Sequence, residues 1–210
     1  MKRFYLSLIS CAVFLFLTAG TAFAGRAAVI FIEMEHEDSD TQALEEITMV
    51  YITTARLKKC YDRMYWLVNT SATKDGLIET MQTALNSHDN IDAYIIGHGG
   101  MQFFWCHFDD RFYVDDIIGL HSLDNSEHLR FVYIGSCHSW DVTDEFIEAG
   151  AVSAIGSNIK MSNFPFYPNF LYYFGTAGYS LAVSLNLSQI PLVDDFRIRG
   201  SKKLRMKTEQ

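Results

Sequence analysis

Apolar residues fall in short bursts separated by mixed segments of helical length. Residues 27–34 (Ala-Ala-Val-Ile-Phe-Ile-Glu-Met) form a nearly unbroken apolar run, the pattern of a strand buried on both faces of a parallel sheet. Ser39 followed by Gln42 has capping-box spacing and predicts a helix opening there and running to about residue 59. Leu44, Ile47, Met49, Val50, Ile52 and Leu57 give that helix one broad apolar face. A second strand is predicted over 61–68, an amphipathic helix over 74–85 and a third strand over 91–96. Two aromatic runs around Asp109-Asp110 predict a β-hairpin over 103–114, followed by a short helix at 115–121. A fourth core strand follows at 129–134, a helix at 142–149 stopped by Gly150, and a fifth strand at 151–155. Residues 161–193 carry no formal charge, yet Pro165, Pro168, Gly175 and Gly178 interrupt them. The reading there is a buried helix over 169–185 with flanking loops, not a membrane span.

Strands alternating with helices in this order imply right-handed crossovers and an α/β fold with a mainly parallel sheet covered on both faces. All the carboxyl ends of such strands share one rim. Two strands end alike there: Tyr94-Ile95-Ile96-Gly97-His98-Gly99-Gly100 and Val132-Tyr133-Ile134-Gly135-Ser136-Cys137-His138-Ser139. Each apolar run breaks into small residues and presents one reactive side chain, which is how an α/β sheet displays catalytic groups. Sequential strands are usually neighbours, so His98 and Cys137 are predicted to meet as a working pair.

A cysteine is mostly protonated at neutral pH and needs activation. His98 can accept its proton, and the helix opening near Asp141 points its N–H groups back toward the sulfur. The amides of Gly99 and Cys137 are candidate oxyanion donors, with Gly97, Gly135 and Ser136 shaping the site. His138, adjacent to the thiol, is assigned to the rim. Candidate substrate contacts on the same rim are Glu35 in the acidic loop 33–38, Trp140 after the Cys motif, and Ser157 and Asn158 at the end of the fifth strand. Taken singly, a strand-end Cys is usually a small buried hydrophobe and a turn His is usually just hydrogen-bonded; the pairing carries the functional reading.

Composition narrows the partners. The chain is 49% hydrophobic and 20% charged with a formal net charge of -8, which gives no broad electrostatic case for nucleic acid. The expected partner is a peptide or protein substrate; the oligomeric state is left open. Lys2-Arg3, an apolar stretch over 4–17 and Ala22-Phe23-Ala24 read as a secretory signal over 1–24, giving an exported chain, periplasmic or extracellular, that starts at Gly25 and is not membrane-inserted. Leu8-Ile9-Ser10-Cys11 comes too early in the apolar run to be a lipidation site. Residues 25–195 then form one domain, and the basic segment 196–210 is expected to be a flexible solvated tail. Cys60, Cys106 and Cys137 remain, an odd number that leaves at least one thiol unpaired within the chain. A Cys60–Cys106 disulfide is disfavoured, because one precedes a strand and the other follows one. His98, Cys106, His107, Cys137 and His138 are ligand types for zinc, but no Cys-x-x-Cys or His-x-x-x-His spacing is present, so no metal or cofactor is expected.

The two motifs together resemble the His and Cys boxes of the caspase-like cysteine peptidases, the group that includes metacaspases, legumains, gingipains, clostripain and the CHAT proteins. Tyr94 to Gly100 is similar to their His box and Ile134 to Ser139 to the metacaspase Cys box, while residues 146–157 resemble the helix–strand element that follows the nucleophile in gingipain-like members. The resemblance covers residues 27–158 and implies a three-layer α/β/α sandwich. It also implies peptide-bond hydrolysis through a thioester, with Cys137 as nucleophile and His98 as general acid/base. Metacaspases typically carry Asp two residues before the Cys, where this chain has Gly135, and Trp140 stands in place of their glycine after Ser139. A non-hydrolytic module that binds a partner through the aromatic stretch Phe164 to Tyr179 is the second expectation, and a related acyl transferase the third.

Overall fold

A computed structural model describes residues 25–34, 39–107, 110–160, 163, 165–190 and 195–206. Its central sheet has six strands: β1 (Arg26–Glu33), β2 (Arg63–Val68), β3 (Asn90–Gly97), β7 (Leu129–Gly135), β8 (Ser153–Ser157) and β9 (Phe196–Gly200). The spatial order is β2-β1-β3-β7-β8-β9, and every neighbouring pair is parallel except β8 with β9. A small three-stranded sheet branches off after β3, built from β4 (Gly99–Gly100), β5 (Phe103–Trp105) and β6 (Arg111–Tyr113). The helices are α1 (Ser39–Leu57), α2 (Lys74–Leu85), α3 (Val114–Ile118), α4 (Trp140–Glu148), α5 (Phe166–Leu171) and α6 (Leu181–Ser188).

Strand alternation separates two cores. Ala27, Val29 and Phe31 of β1 join Ile95, Ile134 and the inner faces of α2, α4 and the small sheet. Ala28, Ile30 and Ile32 join Tyr94, Tyr133, α1, α5 and α6 on the other face. This is the α/β/α sandwich expected. Each fully buried Val, Leu, Ile or Phe stabilises such a layer by roughly 1.5–3 kcal/mol. On the second face the Tyr133 ring lies 5.1 Å from Tyr167, 5.6 Å from Phe170 and 5.9 Å from Phe196, so one side chain of β7 ties the sheet centre to α5 and to the edge strand.

Three expectations change. The basic segment from residue 196 is not a flexible tail in its described part. Phe196 and Ile198 alternate with Arg197 and Arg199, a strand period, and pair with Ser157 and Ile155 as β9. The apolar pair faces the second core, while both arginines stack on Trp140, with Arg199 4.1 Å from its ring centroid. The single helix over 169–185 is three pieces: α5, a π-helical segment Tyr172–Thr176, and α6. Gly175 marks the break, where a Cβ would lie 2.8 Å from Leu57. The aromatic stretch read as a partner surface is largely core: Phe166, Tyr167, Phe170, Leu171 and Phe174 are all fully buried.

One ion pair holds the centre. Asp92 of β3 and Arg130 of β7 are buried and meet through two contacts, Nε to Oδ1 at 2.8 Å and Nη2 to Oδ2. Tyr61 also donates to Asp92 and shares a 2.8 Å hydrogen bond with Tyr94. Burial, and then the Asp92 charge, push the Tyr61 hydroxyl well above its ordinary pKa. Arg130→Met leaves a buried carboxylate uncompensated and is expected to lower unfolding free energy by about 3–5 kcal/mol. Pairing it with Asp92→Leu is expected to restore more than half of the loss, read by urea denaturation of the three variants.

Candidate active site

β3 and β7 run side by side, and their shared ladder ends at Ile96 opposite Gly135. His98 and Cys137 each follow two residues later, so parallel register puts them at one level on the carboxyl edge of the sheet. The two turns touch. A Cβ on Gly99 would lie 2.8 Å from both Cβ and Oγ of Ser136, so only glycine lets the His98 turn come this close to the Ser136 side chain.

His98 is fixed from both sides. Before it, Gly97 packs on β1 so tightly that a Cβ would sit 2.3 Å from the Glu33 carbonyl oxygen. After it, the chain leaves the main sheet as β4, and the Trp105 N–H donates to the His98 carbonyl at 3.0 Å. The His98 residue is half-buried, as is Cys137.

On the Cys side the strand must reverse into a helix within four residues. Ser136 is buried, and His138 adopts φ 53°, the left-handed region that makes the reversal possible. Its N–H donates to the Ile159 carbonyl at 3.2 Å, and its Nδ1 lies 2.9 Å from the Asn158 carbonyl. His138 therefore braces the rim, as expected. Ser139 is the other clamp: its Oγ donates to Ile134 O at 3.1 Å and accepts from the Ser157 N–H at 3.1 Å. Trp140 then opens α4, whose N-terminal end favours negative charge near the sulfur.

The remaining predicted residues divide. Asn158 is exposed on the rim and Trp140 half-buried beneath Arg199 and Arg197. Ser157 is fully buried, with its hydroxyl turned into the loop against Ile159, so it shapes the turn and does not face the rim as a substrate contact. Glu35 lies outside the described residues. Gly135 has a physical reason: a Cβ would fall 2.4 Å from Asn163 Oδ1 and 2.8 Å from the Tyr133 ring. Asn163 donates to Gly135 O at 3.0 Å and accepts from Tyr133 at 3.2 Å. The space that an aspartate would take in the metacaspase pattern is filled here by Asn163.

Two residues were hidden from the sequence reading as site components. Glu33 ends β1 fully buried, in register with Gly97, one residue before His98, and its Oε2 lies 3.5 Å from His107 Nδ1. A carboxylate closing an otherwise apolar central strand was its signal. Asn163, within the uncharged stretch, gave none.

No disulfide joins Cys60, Cys106 and Cys137 to one another among the described residues. Burial, then the Asp110 and Glu33 charges, push Cys106 up to about 12. Among the described residues, His121, Glu145 and Glu148 form the one group with metal-ligand spacing, a surface cluster centred on the length of α4 and not on the Cys137 edge.

The six-stranded sheet with five parallel strands, an antiparallel edge and flanking helices is a caspase-like α/β fold. Among solved structures the chain is similar to the Arg-specific cysteine proteinase gingipain R (RgpB), with a TM-score of 0.61 and 14% identity over 86% of this chain and 47% of that one. A complex of the RgpB pro- and mature domains from Porphyromonas gingivalis is similar at a TM-score of 0.46 and 18% identity, over 72% of this chain and 36% of that one. The chain thus spans about half the length of the solved structure it resembles. No protein-family model and no curated protein sequence matches it.

The thiols differ in a way that alkylation reads. With its pKa near 12, Cys106 is thiolate in only about one molecule in ten thousand at pH 8. Peptide mapping after brief iodoacetamide treatment at that pH is expected to find Cys137 modified and Cys106 untouched until denaturant is added. Separately, Ser139→Ala removes both hydrogen bonds of its hydroxyl and is expected to lower stability by roughly 1–3 kcal/mol in thermal or urea melts.

Proposed function

We propose that this chain is an exported cysteine peptidase that cleaves peptide bonds through a Cys137–His98 dyad and a thioester intermediate. The observation that carries the reading is the contact of the His98 and Cys137 turns on one sheet edge, at Gly99 against Ser136. The caspase-like fold of the chain agrees with it.

In the proposed cycle His98 takes the proton of the Cys137 thiol, and the thiolate attacks the substrate carbonyl carbon. The oxyanion is held by the N–H groups of Gly99 and Cys137. Supporting the first donor, the Trp105 N–H bond to His98 makes the adjacent Gly99–Phe104 pair a non-hydrogen-bonded one, which turns the Gly99 amide away from β5. Collapse breaks the C–N bond, and the departing amine receives the proton from His98. Water, deprotonated by His98, then attacks the thioester carbonyl and releases the acid and the free thiol. The partner-binding alternative is weakened, because Phe166, Tyr167, Phe170, Leu171 and Phe174 of the stretch that suggested it are buried.

Labelling by a peptidyl acyloxymethyl ketone tests the dyad. Cys137→Ala is expected to abolish it, and His98→Ala to slow it by about a hundredfold or more. Equal labelling of both variants and the parent would overturn the assignment. Export is tested by amino-terminal sequencing of the chain recovered from the periplasm or medium, where the expected first residue is Gly25; recovery only inside the cell with Met1 intact would overturn it.

A further inference from the structure

The pole opposite the candidate site, where the parallel strands begin, has an unusual surface. α1 ends there with Arg56, Lys58 and Lys59, all exposed. The segment after β9 comes back to the same pole, placing exposed Lys202, Lys203 and Arg205 beside the start of α6. Its position is fixed by backbone bonds, Leu181 N–H to Leu204 O at 2.8 Å and Ala182 N–H to Lys202 O at 3.1 Å. Contacts join the two clusters: the Arg56 guanidinium lies 5.1 Å from the Tyr172 ring, Tyr173 stacks on Tyr179, and Arg205 donates to Gly178 O at 3.3 Å. Of the carboxylates at this pole, Asp92 is neutralised by Arg130 and Asp62 accepts from the Arg26 amide, while Asp89, Asp124 and Glu127 are exposed ahead of β3 and β7 on the side away from α1 and α6.

α6, which starts at this basic surface, is apolar on both faces, with Leu181 and Leu185 buried in the core. Ser184 and Ser188 of α6 are buried and back-bond to the carbonyls of Ser180 and Ser184. Its outer face instead exposes Val183 at 44% and Leu187 at 50%, with Tyr172 and Tyr179 exposed at 43% and 44% at its foot. No charged residue interrupts residues 161–193. An ordinary surface helix keeps its apolar residues to the inner face and turns polar ones out.

We propose that this pole docks on an anionic lipid bilayer. The six cations meet lipid phosphates, and Tyr179, Val183 and Leu187 enter the headgroup boundary. Aliphatic side chains beside the cations favour a bilayer over a nucleic acid, whose surface gives Val and Leu nothing to enter. The overall charge of -8 does not oppose this, since a local basic patch acts within a screening length of about 8 Å at physiological salt. Docking in this way turns the Cys137 edge away from the lipid.

Vesicle cosedimentation tests it, using the chain from Gly25 onward, which contains every element of the fold described here. Binding is expected to vesicles of phosphatidylglycerol mixed with phosphatidylcholine, and to be lost with phosphatidylcholine alone or in high salt. The double variant Lys202→Glu, Lys203→Glu is expected to reduce partitioning about tenfold or more, and Leu187→Asp to reduce it independently. These side chains are exposed, so near-UV circular dichroism should match the parent. Cys137→Ala should bind vesicles like the parent, which keeps the result separate from the peptidase reading. Equal binding to neutral vesicles, unchanged partitioning of the variants, or retention on DNA without vesicle binding would each overturn the proposal.

Discussion

The buried Asp92–Arg130 pair is the constraint on which the arrangement of the site depends. The β3–β7 ladder is irregular at its start, shifting register between Ile91 and Asp92. A parallel pair of apolar strands tolerates such slips, because apolar side chains of similar size replace one another. A carboxylate and a guanidinium buried between the strands do not, since a slip would leave two charges unpaired in the core. From that fixed point the ladder runs evenly to Ile96 opposite Gly135. The level at which His98 and Cys137 emerge is therefore set at the far end of the strands by residues with no part in the chemistry.

Close packing then converts that level into contact. Gly97 against the Glu33 carbonyl and Gly99 against the Ser136 side chain are places where the chain packs without room for a methyl group. Ser139 fastens β7 to the end of β8 with a single hydroxyl, and His138 turns the chain between them. The nucleophile turn is thus held by its immediate neighbours in sequence, while the residue itself stays half-open to solvent. Rigid flanks with an accessible reactive group are what preorganised attack on a carbonyl requires.

How far this was legible in the sequence follows from the range of each interaction. Strands such as residues 27–34 and 129–134 announced themselves, because two-sided burial writes a continuous apolar run. The His98 and Cys137 turns were legible because glycine and small residues mark strand ends. β9 was not: four cations between 197 and 203 masked a strand whose alternation of Phe196 and Ile198 with Arg197 and Arg199 makes sense only beside Trp140. The break at Gly175 was equally hidden, since it answers to Leu57 across the core. Glu33 looked like the first residue of an acidic loop, and only its register with Gly97 draws it into the site. Asn163 illustrates the limit most plainly, for its role depends on two residues about thirty positions upstream.

Met206 is buried, and its carbonyl accepts from the guanidinium of Arg26 at the other end of the folded chain. The first and last described segments are thus stitched together, and the described backbone traces an almost closed loop. New chain openings made at exposed turns elsewhere, with the segments at Arg26 and Met206 joined by a short peptide, would leave every described strand neighbour unchanged. The architecture is in that sense indifferent to where its thread starts.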